Sequence, residues 1–497
     1  MSDTNNNSSR YLKDDERQSG TLSQRLRRVA PLRWVRFAFA MAIVLAFMVW
    51  TSWWWIVLLL PLLADLYLTQ FIPWTWWRHS KNALVRNVMG WVDPILYACV
   101  LVYFFFDYVG QNYQIPSSSL EKTLLVGDYL WVNKMVYGPR VPNTPVHFPL
   151  VHNTMPILNC KSYTDSPSLS YRRLKGLRSV ERYDIVVFNF PCGDTTFTKV
   201  QNPDYYTLCA MQGKEFLQAH RAELGDMIYR PVDRRENYVK RCIGLPGDTL
   251  LIKNNIIYIN SRPLKEPRNV QYNYLVQASG TAISDDTWDA IDVAIDDRAA
   301  LPMNDPSLLL QLSALGFSTN ADGSMSQVYQ CPLTYEMAQR MRQSTDVQKV
   351  IQVPTVEQFN VFPIQHNYGW TRSNMGSIVI PKKGMTITLT PSNYYIYERA
   401  IRTYEGNTLT FDGQSKFTIN GKTTDKYTFR MDYYWMMGDN RDNSLDSRYW
   451  GFVPEDHIVG TPVIVLISID KDKPFFQGGF RARRFMSTAN PDKDLVK

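Results

Sequence analysis

The chain of 497 residues carries 45% hydrophobic, 13% aromatic and 20% charged residues, enough length for several domains and enough apolar content to exclude a disordered chain. A mean hydropathy of −0.26 excludes a protein built wholly of membrane spans, and six cysteines without a CxxC pair exclude a disulfide scaffold and a cysteine zinc site. The net charge of +8 is smaller than a nucleic-acid-binding face concentrates, which leaves anionic lipid as the better account of the surplus.

Residues 1–33 read as a cytoplasmic tail, polar and with seven basic residues from Arg10 to Arg33. The anchor, residues 34–110, follows. Nine of the 14 tryptophans lie between Trp34 and Trp91. Three apolar runs, Phe37–Trp50, Trp53–Ile72 and Val92–Tyr108, compare with the roughly 17–20 residues that a span needs. About three transmembrane helices are predicted, the first two meeting in a tight hairpin at Thr51-Ser52. The leader before them is too long and polar for a cleavable signal peptide. Arg25, Arg27, Arg28 and Arg33, and then Arg78, Lys81 and Arg86, mark two loops that stay in the cytoplasm, so everything after Tyr108 is expected outside. Trp53, Trp54, Trp55 and Trp74, Trp76, Trp77 read as interfacial belts. Asp65, alone in the second run, reads as a neutral packing carboxyl.

From Gln111 the pattern becomes that of a β-rich domain. Asp128–Val132, Asp184–Phe188, Tyr238–Ile243 and Thr386–Thr390 are predicted strands. Hairpins are predicted at Asn254-Asn255 and Asn420-Gly421. Residues 138–180 read as a long surface loop. Asp305-Pro306-Ser307 before Leu308–Leu315 and Gly316 has a helix cap and a closing glycine, and Leu333–Val350 is also helical in pattern. The domains predicted are thus a β domain over 111–262, an insertion over 263–412 without catalytic residues, the remainder of the β domain over 413–474, and a tail over 475–497. Arg481–Arg484 in that tail reads as a lipid contact.

Three segments carry candidate chemistry. Ile115–Leu124 contains Ser117-Ser118-Ser119, by itself a serine-rich turn. Tyr238–Asp248 places Lys240 in an apolar strand, and Gly438–Arg448 is a charged loop. A serine hydroxyl needs a neighbouring base, and a lysine can serve once burial has made it neutral. Ser119-Leu120-Glu121-Lys122 also spells the S-x-x-K pattern of β-lactamases. That pattern needs a helix, whereas Pro116 and the alternation over Leu124–Val132 predict turn and strand, so Lys122 reads as a surface cation. His457 reads as an exposed loop residue, Asp128 and Asp248 as turn or strand-end groups, and Cys242 as a packed thiol. A Cys192–Cys209 disulfide is left open by the spacing. No phosphate loop, dinucleotide fingerprint or metal cluster is apparent, so no cofactor is expected.

Together, Ile115–Leu130, Tyr183–Pro191, Tyr238–Asp248 and Trp435–Gly460 make the chain resemble the bacterial type I signal peptidases, the Ser/Lys leader peptidases. The resemblance implies a mainly β fold, in which an antiparallel catalytic β domain with a mixed α/β insertion follows the N-terminal transmembrane helices. It implies Ser119 as nucleophile, before Leu120 where the family usually has Met, and Lys240 as general base. Ser444 would hydrogen-bond and orient the Lys240 amine, Asp446 and Arg448 would form an ion pair, and the Ser119 N–H with the Ser117 hydroxyl would form the oxyanion hole. The implied substrates are exported preproteins with signal peptides, cut beside the secretion translocon and against membrane lipids. No nucleic-acid partner is expected. The implied location is the bacterial inner membrane, multi-pass, with the catalytic domain on the extracytoplasmic side.

Overall fold

The computed structural model describes residues 21–27, 29–158, 160–191, 193, 195–200, 204–320, 324–354, 361–471 and 473–491. The chain divides into two compact units, residues 1–105 and 106–497.

In the first unit, Pro31–Thr51 is a 21-residue helix with proline at its first position, where a missing N–H costs nothing. Ser52, at φ 53°, ends it in the left-handed conformation. The chain then turns back through Trp54–Leu59, a 3-10 helix, Leu60–Ala64, an α-helix, and Asp65–Thr69, a π-helix. The three apolar runs differ in the structure. Among the described residues, two helices are long and apolar enough to cross a bilayer, Pro31–Thr51 and Ala83–Tyr108, and Trp54–Thr69 is shorter. Asp65 stops the middle run early. Its carboxyl accepts from Thr69 Oγ1 (2.6 Å), Phe71 N (2.6 Å), Ile72 N (3.0 Å) and Trp74 Nε1 (2.9 Å), which winds the chain into a turn. Four donors on one acid satisfy its oxygens within the turn, in keeping with a packing role for Asp65. The expected hairpin does form. Arg25 Nη1 donates to the carbonyls of Thr69 and Gln70, both at 3.1 Å, and the guanidinium lies 4.1 Å from the Phe71 ring centre. The short run therefore returns the chain to the level at which the first long helix began.

The second unit is built on an antiparallel sheet. Its strands lie in the order Gly110–Gln114, Asp128–Asn133, Ile458–Ser468, Ile185–Asn189, Asn237–Gly244, Tyr433–Met437 and Val453–Pro454, and Ser487–Thr488 pairs with Ile458–Ser468. Segments from both ends of the chain are thus interleaved, so the sheet closes only when the C-terminal strands arrive. Leu130 and Val132 from the second strand are fully buried and pack with Ile115, Leu120, Leu124, Ile185 and Val465. The predicted strands at Asp128, Asp184 and Tyr238 fall on members of this sheet, and Thr386–Thr388 forms a separate two-stranded pair with Lys426–Thr428. Both hairpin expectations hold: Asn254 and Asn255 have φ 51° and 67°, Asn420 and Gly421 φ 50° and 79°, as a turn with two left-handed central residues requires.

Between the halves of this sheet, Gln271–Ala278 is flanked by Val328–Thr334 and Val347–Gln352 in a second sheet, with Ala299–Ala300 at its edge. Asp285–Ile291 and Tyr335–Arg342 contribute Trp288, Met337 and Met341 to its core. Pro306–Ala314 forms as predicted, capped by Asp305, whose carboxylate accepts from Ser307 N at 2.8 Å. The longer helix predicted over Leu333–Val350 does not form. Only Tyr335–Arg342 is helical, because Thr334 caps it and Val347–Gln352 pairs with Gln271–Ala278 instead. Helical periodicity lost to strand pairing of β-branched residues. Cys192 lies outside the described residues, and with it the possible disulfide.

Truncating Leu130 to alanine in the main sheet is expected to cost about 2–5 kcal/mol, the usual range for emptying a packed leucine site. Thermal or denaturant unfolding of the detergent-solubilised protein measures it.

Candidate active site

Ser119 sits where an extended entry meets a single helical turn. Ser117 is extended at φ −130° and ψ 153°, and Ser118–Leu120 form one 3-10 turn. Leu120 and Leu124 hold that turn in the core, with Leu124 N donating to Leu120 O at 2.8 Å. Ser119 is itself buried. Its backbone N–H is in a first turn, where no intrahelical acceptor exists.

Lys240 lies in Asn237–Gly244, opposite Val186 in the neighbouring strand. It is 3% exposed, and its Nζ is 2.5 Å from Ser119 Oγ. Burial lowers the ammonium's pKa, and Arg448 adds to the effect. The carboxylates of Asp446 and Asp439 oppose it, and the balance is a pKa brought down to about 8. A free amine is therefore accessible near neutrality, hydrogen-bonded to a hydroxyl.

The loop Gly438–Arg448 closes over both residues. Asn440 N donates to Ser119 O at 3.1 Å, and Asn440 Nδ2 to Ser118 O at 3.3 Å. Asp439 joins three segments. It accepts from Arg241 Nε at 2.8 Å and Nη2 at 2.7 Å, and from Thr123 Oγ1 at 2.7 Å. Burial alone would raise its pKa, but the charge and hydrogen bonds of Arg241 and the Thr123 hydroxyl hold it below the usual carboxylate value. Asp446 and Arg448 pair through two bonds of 2.9 and 2.8 Å, and Asp446 also accepts from Gly438 N at 3.1 Å. Here too burial works against the carboxylate and Arg448 outweighs it, so Asp446 titrates below its ordinary range. Gly438 has no room for a side chain: a Cβ would stand 2.2 Å from Ser444 Oγ and 2.6 Å from Ser119 O.

The structure thus brings together Ser119, Lys240, Asp446 and Arg448. Ser444 is buried beside Gly438, but its hydroxyl has no hydrogen-bond partner among the described residues, so the expected bond to Lys240 is not made. Ser117 is exposed and lines, with Pro116 and Ser118, a cleft of about 680 Å³. The far wall of the cleft includes Asp289, Asp292, Asp296, Asp297 and Arg298 from the insertion.

Lys122 is paired at the surface: its side chain is 15% exposed and its amine donates to the exposed Asp292, to Oδ2 at 2.7 Å and to the carbonyl. At φ 68° it has also left the helical turn, in keeping with rejection of the S-x-x-K pattern. His457 is a further correction. It is buried, with Nδ1 2.6 Å from Asp456 Oδ1 and Nε2 3.0 Å from Arg235 Nη1. Burial lowers its pKa, more than Asp456 raises it. Arg481 and Arg484 turn inward, to Val126 O at 2.9 Å and to Asp128 Oδ2 at 2.5 Å, which leaves Arg483 as the exposed basic residue of that run. Cys242 is fully buried, with its thiol pKa pushed up by burial. Asp248 caps its own turn through Leu245 N at 2.7 Å. Arg241, Asp439, Asn440 and Thr123 were not singled out from the sequence. The available signal was Arg241, a second cation beside Lys240 in an otherwise apolar strand.

The family model described as signal peptidase, peptidase S26, matches residues 88–305 and 377–467, and the chain belongs to that family. Its relatives include signal peptidase I of Buchnera aphidicola subsp. Baizongia pistaciae (strain Bp), 20% identical over 412 residues, 82% of this chain and 84% of the relative. Signal peptidase I of Aquifex aeolicus (strain VF5) is 22% identical over 368 residues, 74% and 79% of the two chains. Signal peptidase I of Buchnera aphidicola subsp. Acyrthosiphon pisum (strain APS) is 56% identical over 54 residues, and there the chain covers 17% of the relative's own length and 11% of itself.

Replacing Asp446 by alanine strands the buried Arg448 charge and is expected to cost about 3–5 kcal/mol. Denaturant unfolding with an unchanged m-value checks it.

Proposed function

We propose that the protein is a membrane-bound serine endopeptidase that removes N-terminal signal peptides from exported preproteins, with Ser119 as nucleophile and Lys240 as general base. The observation that carries this reading is the 2.5 Å approach of Ser119 Oγ to a buried Lys240 amine whose pKa has fallen to about 8. The neutral amine takes the hydroxyl proton as Oγ attacks the scissile carbonyl carbon. The Ser119 N–H and the Ser117 hydroxyl donate to the oxyanion that forms between them. Lys240 then returns the proton to the leaving amine, which departs as the new N-terminus and leaves an ester on Ser119. Water, deprotonated by the same amine, hydrolyses that ester and frees the signal peptide. Asp446 and Arg448 shape the loop around the dyad.

An extended substrate segment running past Ser119 would be held by main-chain hydrogen bonds, the usual way for a peptide to bind at a sheet edge. Two long apolar helices and the returning Trp54–Thr69 run support a multi-pass anchor. The basic loops around Arg25 and Arg86 support a cytoplasmic side for both, and hence an extracytoplasmic side for the catalytic domain of a bacterial inner-membrane protein. Phe475, Phe476, Phe485 and Met486, exposed beside Arg483, have the character of a lipid-facing surface. The secretion translocon is the natural neighbour of such an enzyme.

Ser119→Ala and Lys240→Ala are each expected to lower the rate of preprotein cleavage at least about 10⁴-fold in detergent, with the product's N-terminus sequenced to define the cut. Wild-type rates in either variant overturn the dyad. Because a lysine acts here in its free-base form, kcat/KM should rise about tenfold per pH unit below pH 8 and level off above it. A flat profile between about pH 6 and 9 excludes Lys240 as base.

A further inference from the structure

The insertion between the two halves of the main sheet touches the candidate site through the backbone. Gln271, the first residue of Gln271–Ala278, donates its N–H to Asp439 O at 2.8 Å and accepts from Arg441 N at 2.9 Å on its own carbonyl. These two bonds clasp Asn440 in a parallel bridge. The contact continues outward. Asn273 N donates to Asp442 Oδ2 at 2.7 Å, Asn443 Nδ2 donates to Asn273 Oδ1 at 3.1 Å, and Arg372 pairs with Asp442 at 3.3 Å. Gln271 is 1% exposed. On its opposite side the same three-residue stretch holds the nucleophile's turn, through Asn440 N to Ser119 O and Thr123 Oγ1 to Asp439. The order in space is therefore insertion strand, loop 439–441, Ser119 turn, with hydrogen bonds across each step.

We infer that the insertion is a positioning element of the active site: the Gln271 main chain sets the place of Asp439–Arg441, and through Asn440 the place of Ser119. This rests on the reading of Ser119 as nucleophile. A loop of eleven residues with so many charged and amide side chains has many conformations of similar energy. Two main-chain bonds at its centre select one, and the selected one presents Asn440 N to Ser119 O. Loss of that register leaves Lys240 and the substrate groove in place but moves the attacking oxygen, so the chemical step suffers and binding does not.

The test is Gln271→Pro in the full-length protein in detergent, which deletes the N–H that binds Asp439, with Gln271→Ala as the control for the lost side-chain bond from Nε2 to Pro332 O at 3.2 Å. Three quantities are read on a defined preprotein: kcat, KM, and the fraction of Ser119 titrated by an acylating inhibitor at saturation. The expected result is a kcat lower by on the order of 10²-fold with KM and the titratable fraction unchanged. Gln271→Ala, which keeps both main-chain bonds, should recover most of that loss. Asp442→Ala removes the acceptor of Asn273 N and the partner of Arg372, and should show the same split of kcat from KM if the proline variant does not fold. Wild-type kcat in a folded Gln271→Pro protein and in Asp442→Ala overturns the inference, as does a titratable fraction that falls in step with kcat. Ser119→Ala in the same assay separates the two ideas. If it stays active, the nucleophile is wrong; if it is inactive while Gln271→Pro is normal, only the role of the insertion is wrong.

Discussion

One buried ion pair, Arg241 with Asp439, supports the rest of the site. Neither side chain reaches solvent, so the pair had to lose its hydration and recover it from near neighbours. It does so completely: Asp439 takes both guanidinium bonds and the Thr123 hydroxyl, and Arg241 Nη1 also reaches Tyr183 O at 3.1 Å. A pair like this is costly when one member is missing and close to neutral when both are well bonded, so it acts more as a specifier of geometry than as a source of stability. Its geometry is what matters. Arg241 is adjacent to Lys240 in one strand, Thr123 lies four residues beyond Ser119, and Asp439 opens the loop that covers them. Fixing these three points fixes the distance between hydroxyl and amine.

The depressed lysine follows from the same packing. Lys240 is buried in the sheet, and the two carboxylates that act on its charge are already committed to arginines. Asp439 and Asp446 stay ionised, but each is compensated, so neither stabilises the ammonium as strongly as a free carboxylate would. The desolvation of the amine therefore prevails.

What could be read from the sequence was local. The asparagine and glycine turns, the helix headed by Pro306 and the three short motifs each carry their signal within a short stretch, and the structure places them accordingly. What could not be read depended on partners far along the chain. Arg241 and Asp439 are 198 residues apart, and each looked ordinary by itself. His457 appeared to belong to a polar loop until Arg235 and Asp456 enclosed it. The helix over Leu333–Val350 yielded to a sheet whose other strand begins at Gln271. In the anchor, Trp54–Thr69 is shorter than the two long helices because the Asp65 side chain draws four donors into a turn.

The interleaving of the main sheet has a consequence for how the protein is made. Ser119 and Lys240 leave the ribosome in the first half of the chain, but Asp439, which holds Arg241 and Thr123, follows almost two hundred residues later. At about 5–20 residues per second that delay is on the order of 10–40 s. Throughout it, a nascent chain carries Ser119 and Lys240 without the loop that brings their turn and strand together. Arrival of Asp439, rather than appearance of Ser119, is the moment at which the hydroxyl and the amine can be held together.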